Sequence, residues 1–521
     1  MNRRDLVVGS LSCGGALLVP RLVRGAESSP VAETAAGKVR GVTVDGVQIF
    51  RGIPYGGPAD GAARFLPPAK VTPWPGVRET VRPGPRCMQT GTQLFRSPVI
   101  GAYFSGGKTR PELDQEEMSE NCLALNVLTP ALTGKRPVMV YLHGGGFTGG
   151  SSMLTLFGDG HVREQDVVLV GVNHRLNLFG YLYLGGLSEK YREGNPGNLD
   201  LVLALKWVRD NIARFGGDPG NVTLWGESGG GGKINCLMAM PAAQGLFHKA
   251  IVESGSTLRI GTKEAGTVNA TTLLSKLGLR SDQVAELENI PAAKLFATGI
   301  TGAPVVDGQT IPAQIWDPKA PDLSAGVPMI IGNTKDESTL FSKDETLWGL
   351  DDAQLRDRLV QTGISGTDAA ELITLYRYDY PKDTPTDRWF RLSSDRDLRR
   401  NVIRQAELKL AQGKANVYLY QFVWNTPVGG GKMKAFHTAE LPLAMRAVAN
   451  PEAEGLSKQL SGAWAAFART GNPSQPGLAW PAYTKAIRET MIFDAGNSKV
   501  RKDPDSEQLS ILLRYPVDNL L

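Results

Sequence analysis

The most informative stretch of this sequence is Asn221-Val-Thr-Leu-Trp-Gly-Glu-Ser-Gly-Gly230. Its first six residues are rich in apolar and β-branched side chains and predict a short buried strand. The glycines on both sides of Ser228 predict a tight turn into a following helix. A serine in such a turn has a strained backbone and an exposed hydroxyl at the carboxyl end of a sheet. The helix N-terminus behind it favours negative charge there.

The chain around this stretch alternates predicted strands with predicted helices. Strands are expected at 138–142, 167–173, 249–253, 327–332 and 416–422, and helices at 199–214 and 457–470. The strands are apolar on both faces, as in a parallel sheet that is covered by helices. No Pro-, Gly- or Ser-rich linker and no internal repeat divides the sequence. We therefore predict an α/β fold in one elaborated domain, with a mostly parallel central sheet and helices on both faces.

Composition excludes several classes of protein. Of the 521 residues, 41% are hydrophobic and 21% are charged, which is ordinary for a globular chain with a sizeable core. The net charge of +5 is spread along the sequence, and no Lys/Arg block of the kind that binds nucleic acid is present. We therefore expect a small-molecule partner and no nucleic acid, and the mild basic surplus admits both anionic and neutral ligands.

The N-terminus has the pattern of an export signal. The pair Arg3-Arg4 precedes an apolar run from Val7 to Pro20, as in twin-arginine signals. This run is too short to cross a hydrocarbon core of about 30 Å as a helix. Alternatives are an uncleaved membrane-surface segment or a lipoprotein anchored at Cys13. We predict a signal peptide over 1–26, a mature domain over 27–521, export to the periplasm or medium, and no membrane attachment after signal removal.

A glycine loop, His143-Gly-Gly-Gly-Phe147, follows the predicted strand 138–142. Such a loop can direct backbone N–H groups at a developing oxyanion without obstruction by side chains. Gly145 and Gly146, together with the N–H of Gly229, are the predicted donors. A flexible loop or a phosphate cradle is the alternative, but no Gly-Lys-Ser/Thr follows as a P-loop requires.

Elimination identifies a candidate general base. The five histidines are His143, His161, His174, His248 and His437. In a fold with this serine turn the catalytic groups follow the order Ser, acid, His along the chain. The first three histidines precede Ser228, and His248 follows it too closely for an acid-bearing strand to intervene. His437 is therefore the predicted base.

The acid that orients His437 has two candidates. Asn333-Thr-Lys-Asp-Glu-Ser338 follows the predicted strand 327–332 and contains adjacent carboxylates at Asp336 and Glu337. An orienting acid must be buried and fixed. Spacing alone does not separate the two, and either could instead be a solvated surface carboxylate.

The sequence resembles the type-B carboxylesterase and cholinesterase family over almost the whole mature chain. Besides the loops at His143 and Ser228, the matching segments are Phe50–Tyr55, Arg64-Phe65, Ser119–Val127, Asn173–Leu176, Gly194–Gly197, Trp207–Pro219, Glu253–Ser256 and Trp464–Pro473. Many separate motifs in the correct order make this resemblance specific. It implies the α/β-hydrolase fold, and the twin-arginine pattern at the N-terminus predicts a bacterial, exported member of the family.

The resemblance also implies the residue roles. The Lys-Asp-Glu pattern of the family places its triad acid at Glu337, beside Ser228 as nucleophile and His437 as base. Glu440, in Phe436-His-Thr-Ala-Glu440, would be a supporting polar residue. The implied reaction is acylation of Ser228 with release of an alcohol, followed by hydrolysis of the acyl-enzyme by water. No metal or organic cofactor is implied.

Further implications concern the cysteines and the departures from the family. Cys87 and Cys122 match its first disulfide, at the rim of the active-site entrance, which leaves Cys236 unpaired. Gly229 stands where the family usually has Ala. The loop between the two paired cysteines shows no choline-binding Trp, so the resemblance favours a carboxylesterase over a cholinesterase.

The predicted function is therefore hydrolysis of carboxylic esters of small to medium-sized organic molecules. The same triad would also serve a lactone, carbamate or amide hydrolase. A non-catalytic relative with the same fold is the third alternative, although such relatives lose the nucleophile. Substrate pockets are built from scattered loops, so neutral and polycarboxylate esters, including toxins and xenobiotics, both remain candidates.

Overall fold

The structure is a computed structural model that describes residues 29–90, 98–107 and 116–516. The predicted signal peptide, 1–26, lies outside the described residues. Within the described ranges, every helix is too short or too polar to cross a membrane.

The strands are numbered in chain order. They are β1 (Val31–Thr34), β2 (Gly37–Arg40), β3 (Val42–Val44), β4 (Val47–Pro54), β5 (Val77–Glu79), β6 (Ala124–Thr129), β7 (Arg136–Leu142), β8 (Val168–Val172), β9 (Gly217–Glu227), β10 (Lys249–Glu253), β11 (Gly261–Thr262), β12 (Val305–Val306), β13 (Met329–Thr334), β14 (Val417–Phe422), β15 (Glu489–Phe493) and β16 (Lys499–Lys502).

The α-helices are numbered in the same way. They are α1 (Pro98–Phe104), α2 (Asp159–Gln165), α3 (Asn177–Tyr181), α4 (Pro196–Asn211), α5 (Gly229–Met238), α6 (Lys263–Lys276), α7 (Ala292–Ala297), α8 (Asp352–Gln361), α9 (Gly366–Asp379), α10 (Pro385–Ser394), α11 (Arg400–Leu410), α12 (Leu441–Ala444), α13 (Glu454–Thr470) and α14 (Ser506–Leu512).

A central sheet dominates the structure. In the described part of the chain it has eleven strands, in the order β16-β15-β14-β13-β10-β9-β7-β8-β6-β4-β3. The pairings from β15 through to β8 are parallel, and those at the two edges are antiparallel. Two small sheets, β1-β2-β5 and β11-β12, accompany it. The predicted mostly parallel sheet is thus confirmed.

Both faces of this sheet are covered, as the apolar strands predict. Successive side chains of a strand point to opposite faces. Along β7, Val138, Val140 and Leu142 pack into one hydrophobic core, whereas Met139 and Tyr141 pack into the other. The strand is therefore apolar throughout because it has no solvent-facing side.

Helices α5 and α13 lie on opposite faces of the sheet. Leu237 of α5 packs in the first core. Leu460, Trp464 and Phe467 of α13, at helical spacing, pack in the second. Helix α13 ends at Gly471, whose φ of 78° is left-handed, so the stop signal in the sequence acts as predicted. The helix predicted at 199–214 begins and ends three residues earlier than expected: α4 spans Pro196–Asn211, and a 3₁₀ turn continues to Phe215.

The order of the strands positions the functional residues. Strands β14, β13, β10, β9 and β7 are consecutive neighbours and parallel, so their carboxyl ends meet at one edge of the sheet. The glycine loop follows β7, Ser228 follows β9, and the segments with Glu337 and His437 follow β13 and β14. Ligands of parallel α/β sheets bind at this edge.

The disulfide expected from the resemblance is not formed in this structure. Cys87 and Cys122 are both buried free thiols, as is Cys236. A hydrogen bond with Cys87, followed by burial, raises the pKa of Cys122 well above its usual value. The sulfur of Cys87 also accepts a hydrogen bond of 3.2 Å from the backbone N–H of Leu176. The two thiols therefore lie together, and Cys122 is held in its protonated form.

Candidate active site

Ser228 occupies the strained turn that the sequence predicts. Its backbone angles are φ 54° and ψ −125°, which non-glycine residues rarely adopt. A hydrogen bond of 2.8 Å from its N–H to the carbonyl of Glu253 holds the turn against β10. A Cβ atom on Gly226 would lie 2.5 Å from the backbone of Gly230, so only glycine fits at this crossing.

The glycine loop lies directly against this turn. Gly145 and Gly146 have φ values of +86° and +59°, and both line the cavity that contains Ser228. A Cβ atom on Gly229 would lie 2.5 Å from the amide nitrogen of Gly146. The structure therefore brings the three predicted oxyanion donors to the nucleophile turn. At Gly229 a bare glycine is required, because a side chain there would separate the two backbone segments.

His437 is fixed by Glu337. Its Nδ1 lies 2.5 Å from Oε2 of Glu337. The other oxygen, Oε1, accepts hydrogen bonds from the hydroxyl of Ser254 at 2.6 Å and the N–H of Thr334 at 2.7 Å. Glu337 is completely buried. These contacts hold the carboxylate so that it orients the imidazole ring.

The carboxylate of Asp336, the other candidate acid, does not contact His437. Asp336 accepts a hydrogen bond of 3.2 Å from the N–H of Ala435 and pairs with Lys335 at 3.3 Å. Of the two candidates that spacing left open, Glu337 is the one that contacts the histidine.

Glu227 was not singled out in the sequence, yet it lies at the centre of the site. Its Oε1 is 3.2 Å from Nε2 of His437, and Ser228 Oγ makes no hydrogen bond to that nitrogen within the described residues. Ser228 and His437 line the same two cavities. Burial, followed by the charges of Glu440 and Glu337, raises the pKa of Glu227 well above its usual value, which favours the neutral carboxyl.

Glu440 is buried, and its side-chain hydrogen bond is not to His437. Its Oε1 accepts a hydrogen bond of 3.0 Å from the hydroxyl of Tyr420 on β14. Burial, then Glu253 and Glu337, raise its pKa well above the usual value. Any support that Glu440 gives to His437 is therefore electrostatic or acts through β14.

Lys233 is a second residue that the sequence interpretation missed. It is completely buried on α5, and its Nζ donates hydrogen bonds of 2.8 Å to the carbonyls of both His143 and Gly146. Burial lowers its pKa to about 7, against the smaller opposite effects of Cys236 and Glu227. The ammonium group bridges both ends of the glycine loop. A lysine within an otherwise apolar helix was the signal available in the sequence.

Two cavities meet at Ser228. The larger has a volume of about 680 Å³ and is mainly apolar. Its apolar walls include Ile100, Phe104, Leu154, Leu340 and Leu441. The smaller has a volume of about 220 Å³ and also presents a mainly apolar surface, although several serines contribute to its lining. Phe341 is 60% exposed and lines both cavities, with its ring centroid 4.9 Å from that of His437.

Comparison with known proteins agrees with this arrangement. The model of the carboxylesterase family matches residues 28–512. The chain is 34% identical over 503 residues to the para-nitrobenzyl esterase of Bacillus subtilis (strain 168), covering 92% of this chain and 97% of that one. It is 32% identical to the pyrethroid hydrolase Ces2e of Rattus norvegicus, covering 90% and 87%. A solved structure of PNB esterase superposes with a TM-score of 0.78 at 32% identity, covering 93% and 100% of the two chains. On the strength of a match that spans nearly all of the sequence, the chain belongs to the carboxylesterase family, has its α/β-hydrolase fold and is a serine hydrolase of carboxylic esters.

Proposed function

We propose that Ser228 is the nucleophile of this hydrolase, with His437 as its general base and Glu337 as the acid that orients the base. The observation that carries the proposal is the 2.5 Å contact between His437 and Glu337 in the cavity that holds Ser228. A histidine that is held by a buried carboxylate and faces a strained serine is the arrangement that acyl transfer requires.

The reaction then follows from this geometry. Nε2 of His437 takes the proton of Ser228 as Oγ attacks the ester carbonyl. The N–H groups of Gly145, Gly146 and Gly229 stabilise the oxyanion, and each such donor is typically worth a factor of about 10²–10³ in rate. The protonated histidine gives its proton to the leaving alcohol. Water that is activated by His437 hydrolyses the acyl-enzyme. The hydrogen bond from serine to histidine forms with substrate bound, because such bonds often tighten only in the complex.

A neutral ester fits the site better than a polycarboxylate does. Glu227, Glu337 and Glu440 are buried close to the reacting centre, and burial, followed by repulsion from neighbouring carboxylates, raises the pKa of Glu227 and of Glu440. A further carboxylate beside the scissile bond would add to this repulsion. The apolar walls of the larger cavity suit a bulky apolar half of the substrate. A lactone, carbamate or amide with the same polarity would be an alternative substrate.

A second part of the proposal concerns where the enzyme acts and the oxidation state of its cysteines. We propose that 1–26 act as a twin-arginine signal and that, after export, Cys87 and Cys122 pass two electrons and two protons to a thiol oxidant of that compartment and form a disulfide. The signal rests on the paired arginines and the short apolar run, and the disulfide on the contact between the two thiols. Alkylation of the exported, unreduced protein followed by intact mass analysis tests both. Three alkylated cysteines instead of one would contradict the disulfide.

The catalytic assignment is tested with a chromogenic ester. Wild type is expected to hydrolyse para-nitrophenyl butyrate, whereas Ser228→Ala should lose several orders of magnitude in rate. The residual rate should be roughly 10³–10⁴ above water, from binding and oxyanion stabilisation alone. Ser275→Ala, an exposed serine on α6, is the matched control and should keep wild-type activity. Equal rates for Ser228→Ala and wild type would exclude Ser228.

A further inference from the structure

A polar cavity lies beside the catalytic site, at the same edge of the central sheet. It has a volume of about 480 Å³, and its accessible surface is mainly polar. Lys335, Val423 and Asp494 of its lining follow β13, β14 and β15 directly, at the carboxyl ends of these strands. The described residues that line it line neither cavity at Ser228. Its size is typical of a small-molecule site, and the hydrolysis of esters does not use it.

The floor of this cavity is one face of the sheet close to the β16 edge. Gln421 on β14 is the register partner of Ile492 on β15. Ile492 pairs in turn with Lys499 of β16, which lies two residues before Arg501. Paired residues and alternate residues of a strand share a face, so Gln421, Ile492 and Arg501 lie on the same side. On that face of β14 the preceding side chain, Leu419, packs in the first core.

Gln421 is an unpartnered polar side chain in this floor. It is only 6% exposed, and its side-chain amide makes no hydrogen bond within the described residues. Both amide atoms nevertheless keep accessible surface, and since the residue lines the cavity they are directed into it. A buried amide without partners is unfavourable. The occupant of the cavity therefore supplies hydrogen-bond partners to Gln421.

Two cations approach the cavity from opposite ends. Lys335 follows β13, whereas Arg501 lies on β16, three strands away in the sheet. The guanidinium of Arg501 has no partner among the described residues. Lys335 donates to Oδ1 of Asn425 at 2.9 Å and pairs with Asp336 at 3.3 Å. Since an ammonium group has three N–H donors, both cations keep donors for a ligand.

A third cation, Arg391 of α10, is fixed in the wall. Its Nε and Nη2 donate to one oxygen of Asp383 at 3.0 and 2.8 Å, and the guanidinium carbon lies 3.6 Å from the ring centroid of Tyr380. Its Nη1 makes no hydrogen bond within the described residues. Asp494 is the only anion among the described residues of the lining, because Asp336 and Asp383 do not reach the cavity. The charge that faces the cavity is therefore mainly positive.

These groups define the chemistry of a ligand. Guanidinium and ammonium groups bind carboxylates and phosphates through charge-assisted hydrogen bonds. The positive groups at the two ends suit a molecule with an anionic group at each end. Trp424 and Ile492, which belong to the segments between these ends, give the lining an apolar part that suits a short carbon chain.

We propose that this cavity is a second binding site of the enzyme, for a small organic dianion of the dicarboxylate type. The carboxylates of the ligand accept hydrogen bonds from Lys335, Arg391 and Arg501, and the amide of Gln421 donates to one of them. The inference does not depend on the proposed role of Ser228, because no residue of the catalytic site takes part.

Calorimetric titration of the wild-type enzyme with succinate tests the proposal. Succinamide has the same length without the charges, and inorganic phosphate is an anion without a carbon chain. Sodium chloride keeps the ionic strength equal, because salt screens charge. Succinate is expected to bind at least about tenfold more tightly than either, in line with charged hydrogen bonds. Equal affinity for succinamide would mean a neutral ligand, and equal affinity for phosphate a free inorganic anion; either result would overturn the proposal.

Variants of the cavity locate the bound succinate. Arg501→Ala shortens an exposed side chain, so it should fold normally, and it should weaken binding by about tenfold. Gln421→Glu keeps the size of the side chain and should weaken binding at least as much, because it places a carboxylate in the floor. Arg82→Ala is the matched control, at an exposed arginine whose backbone lies beside Gly52 of β4, near the other end of the sheet. It should leave the affinity unchanged.

The outcomes separate this site from the catalytic site. Ser228→Ala should bind succinate as wild type does, and Arg501→Ala should hydrolyse para-nitrophenyl butyrate at the wild-type rate. Unchanged affinity in both Arg501→Ala and Gln421→Glu would overturn the proposal. So would competitive inhibition of ester hydrolysis by succinate that persists in Arg501→Ala, because the dianion would then lie in the catalytic cavity.

Discussion

The adjacent carboxylates Asp336 and Glu337 differ in what they contact, and this difference predicts different effects of substitution. Glu337→Gln keeps the shape of the side chain but removes the charge that stabilises the imidazolium and selects its tautomer. We expect kcat to fall by roughly 10³–10⁴, as for the loss of an orienting acid in other triads. Asp336→Asn is the matched control, because it changes a carboxylate one residue away that contacts Lys335 and a backbone N–H.

Steady-state kinetics on a para-nitrophenyl ester measures both variants. We expect Asp336→Asn to keep kcat within about tenfold of wild type, since the Asp336 carboxylate does not contact His437. A similar loss in the two variants would mean that the orienting acid has been assigned to the wrong residue.

Substitution of Lys233 is expected to lower kcat less than substitution of Glu337 does. Lys233→Met leaves the carbonyls of His143 and Gly146 without their donor, so the glycine loop between them is less firmly held. We expect kcat to fall by about tenfold with little change in KM, because the loop acts on the transition state more than on bound substrate. This loss is smaller than the removal of an oxyanion donor itself, which is typically about 10²–10³.

The control for this variant is Lys206→Met, an exposed lysine on α4. Lys206→Met should leave both kcat and KM unchanged. An increase in KM without any decrease in kcat for Lys233→Met would place the lysine in substrate binding and not in the alignment of the loop.

The next prediction concerns the packing of α5 against the sheet. Helix α5 begins so close to β7 that a Cβ atom on Gly230 would lie 2.0 Å from the carbonyl oxygen of Leu142. Gly230→Ala should therefore push the helix and the nucleophile turn away from the glycine loop. We expect a loss of about 1–3 kcal/mol in the free energy of unfolding, as for other overpacked sites, together with lower activity.

Denaturant unfolding and the ester assay measure the two effects. Gly349→Ala is the matched control, because a Cβ atom there meets nothing within 4 Å. If Gly230→Ala were as stable and active as this control, the close approach of α5 to β7 would be wrong.

Local sequence predicted the elements well and their contacts less well. A run of apolar residues predicts strands such as β7, and helical spacing of apolar residues predicts helices such as α13. The glycines on both sides of Ser228 predict the turn that contains it. The sequence did not identify Lys233 and Glu227 as site residues, because their contacts are with atoms that lie far away in the sequence. These atoms belong to the glycine loop and to His437.

The resemblance to a family supplied what periodicity could not. It selected Glu337 over Asp336, which the contact with His437 supports. It also implied a disulfide between Cys87 and Cys122, where the structure has two free thiols. A family pattern indicates which residues lie together in the fold. The oxidation state of two neighbouring cysteines depends instead on the redox conditions around the protein.

The stability of the whole molecule should depend on pH through His161. This histidine is completely buried, and its Nδ1 lies 2.8 Å from the hydroxyl of Ser461, joining α2 to α13. Burial, followed by the charges of Arg469 and Arg446, lowers its pKa to about 3. In the unfolded chain its pKa is about 6.5. Between these values the unfolded state binds more protons, so the free energy of unfolding should fall as the pH decreases from about 6.5 towards 3.

Urea unfolding at several pH values, on wild type and His161→Gln, isolates this contribution. Buried carboxyls such as Glu253, whose pKa is raised to about 8, act in the opposite direction and are common to both proteins. The curve for wild type should therefore decline more steeply than that for His161→Gln below pH 6.5. Parallel curves would mean that His161 titrates alike in the folded and unfolded states.

The claim on which the account depends is that Ser228 becomes covalently acylated. The most direct measurement is peptide mass mapping after reaction with a fluorophosphonate, which forms a stable adduct with an activated serine. A single adduct on the peptide that contains Ser228 is predicted, with none on Ser228→Ala. An adduct on a neighbouring serine such as Ser254 or Ser256, or equal labelling of Ser228→Ala, would contradict the account.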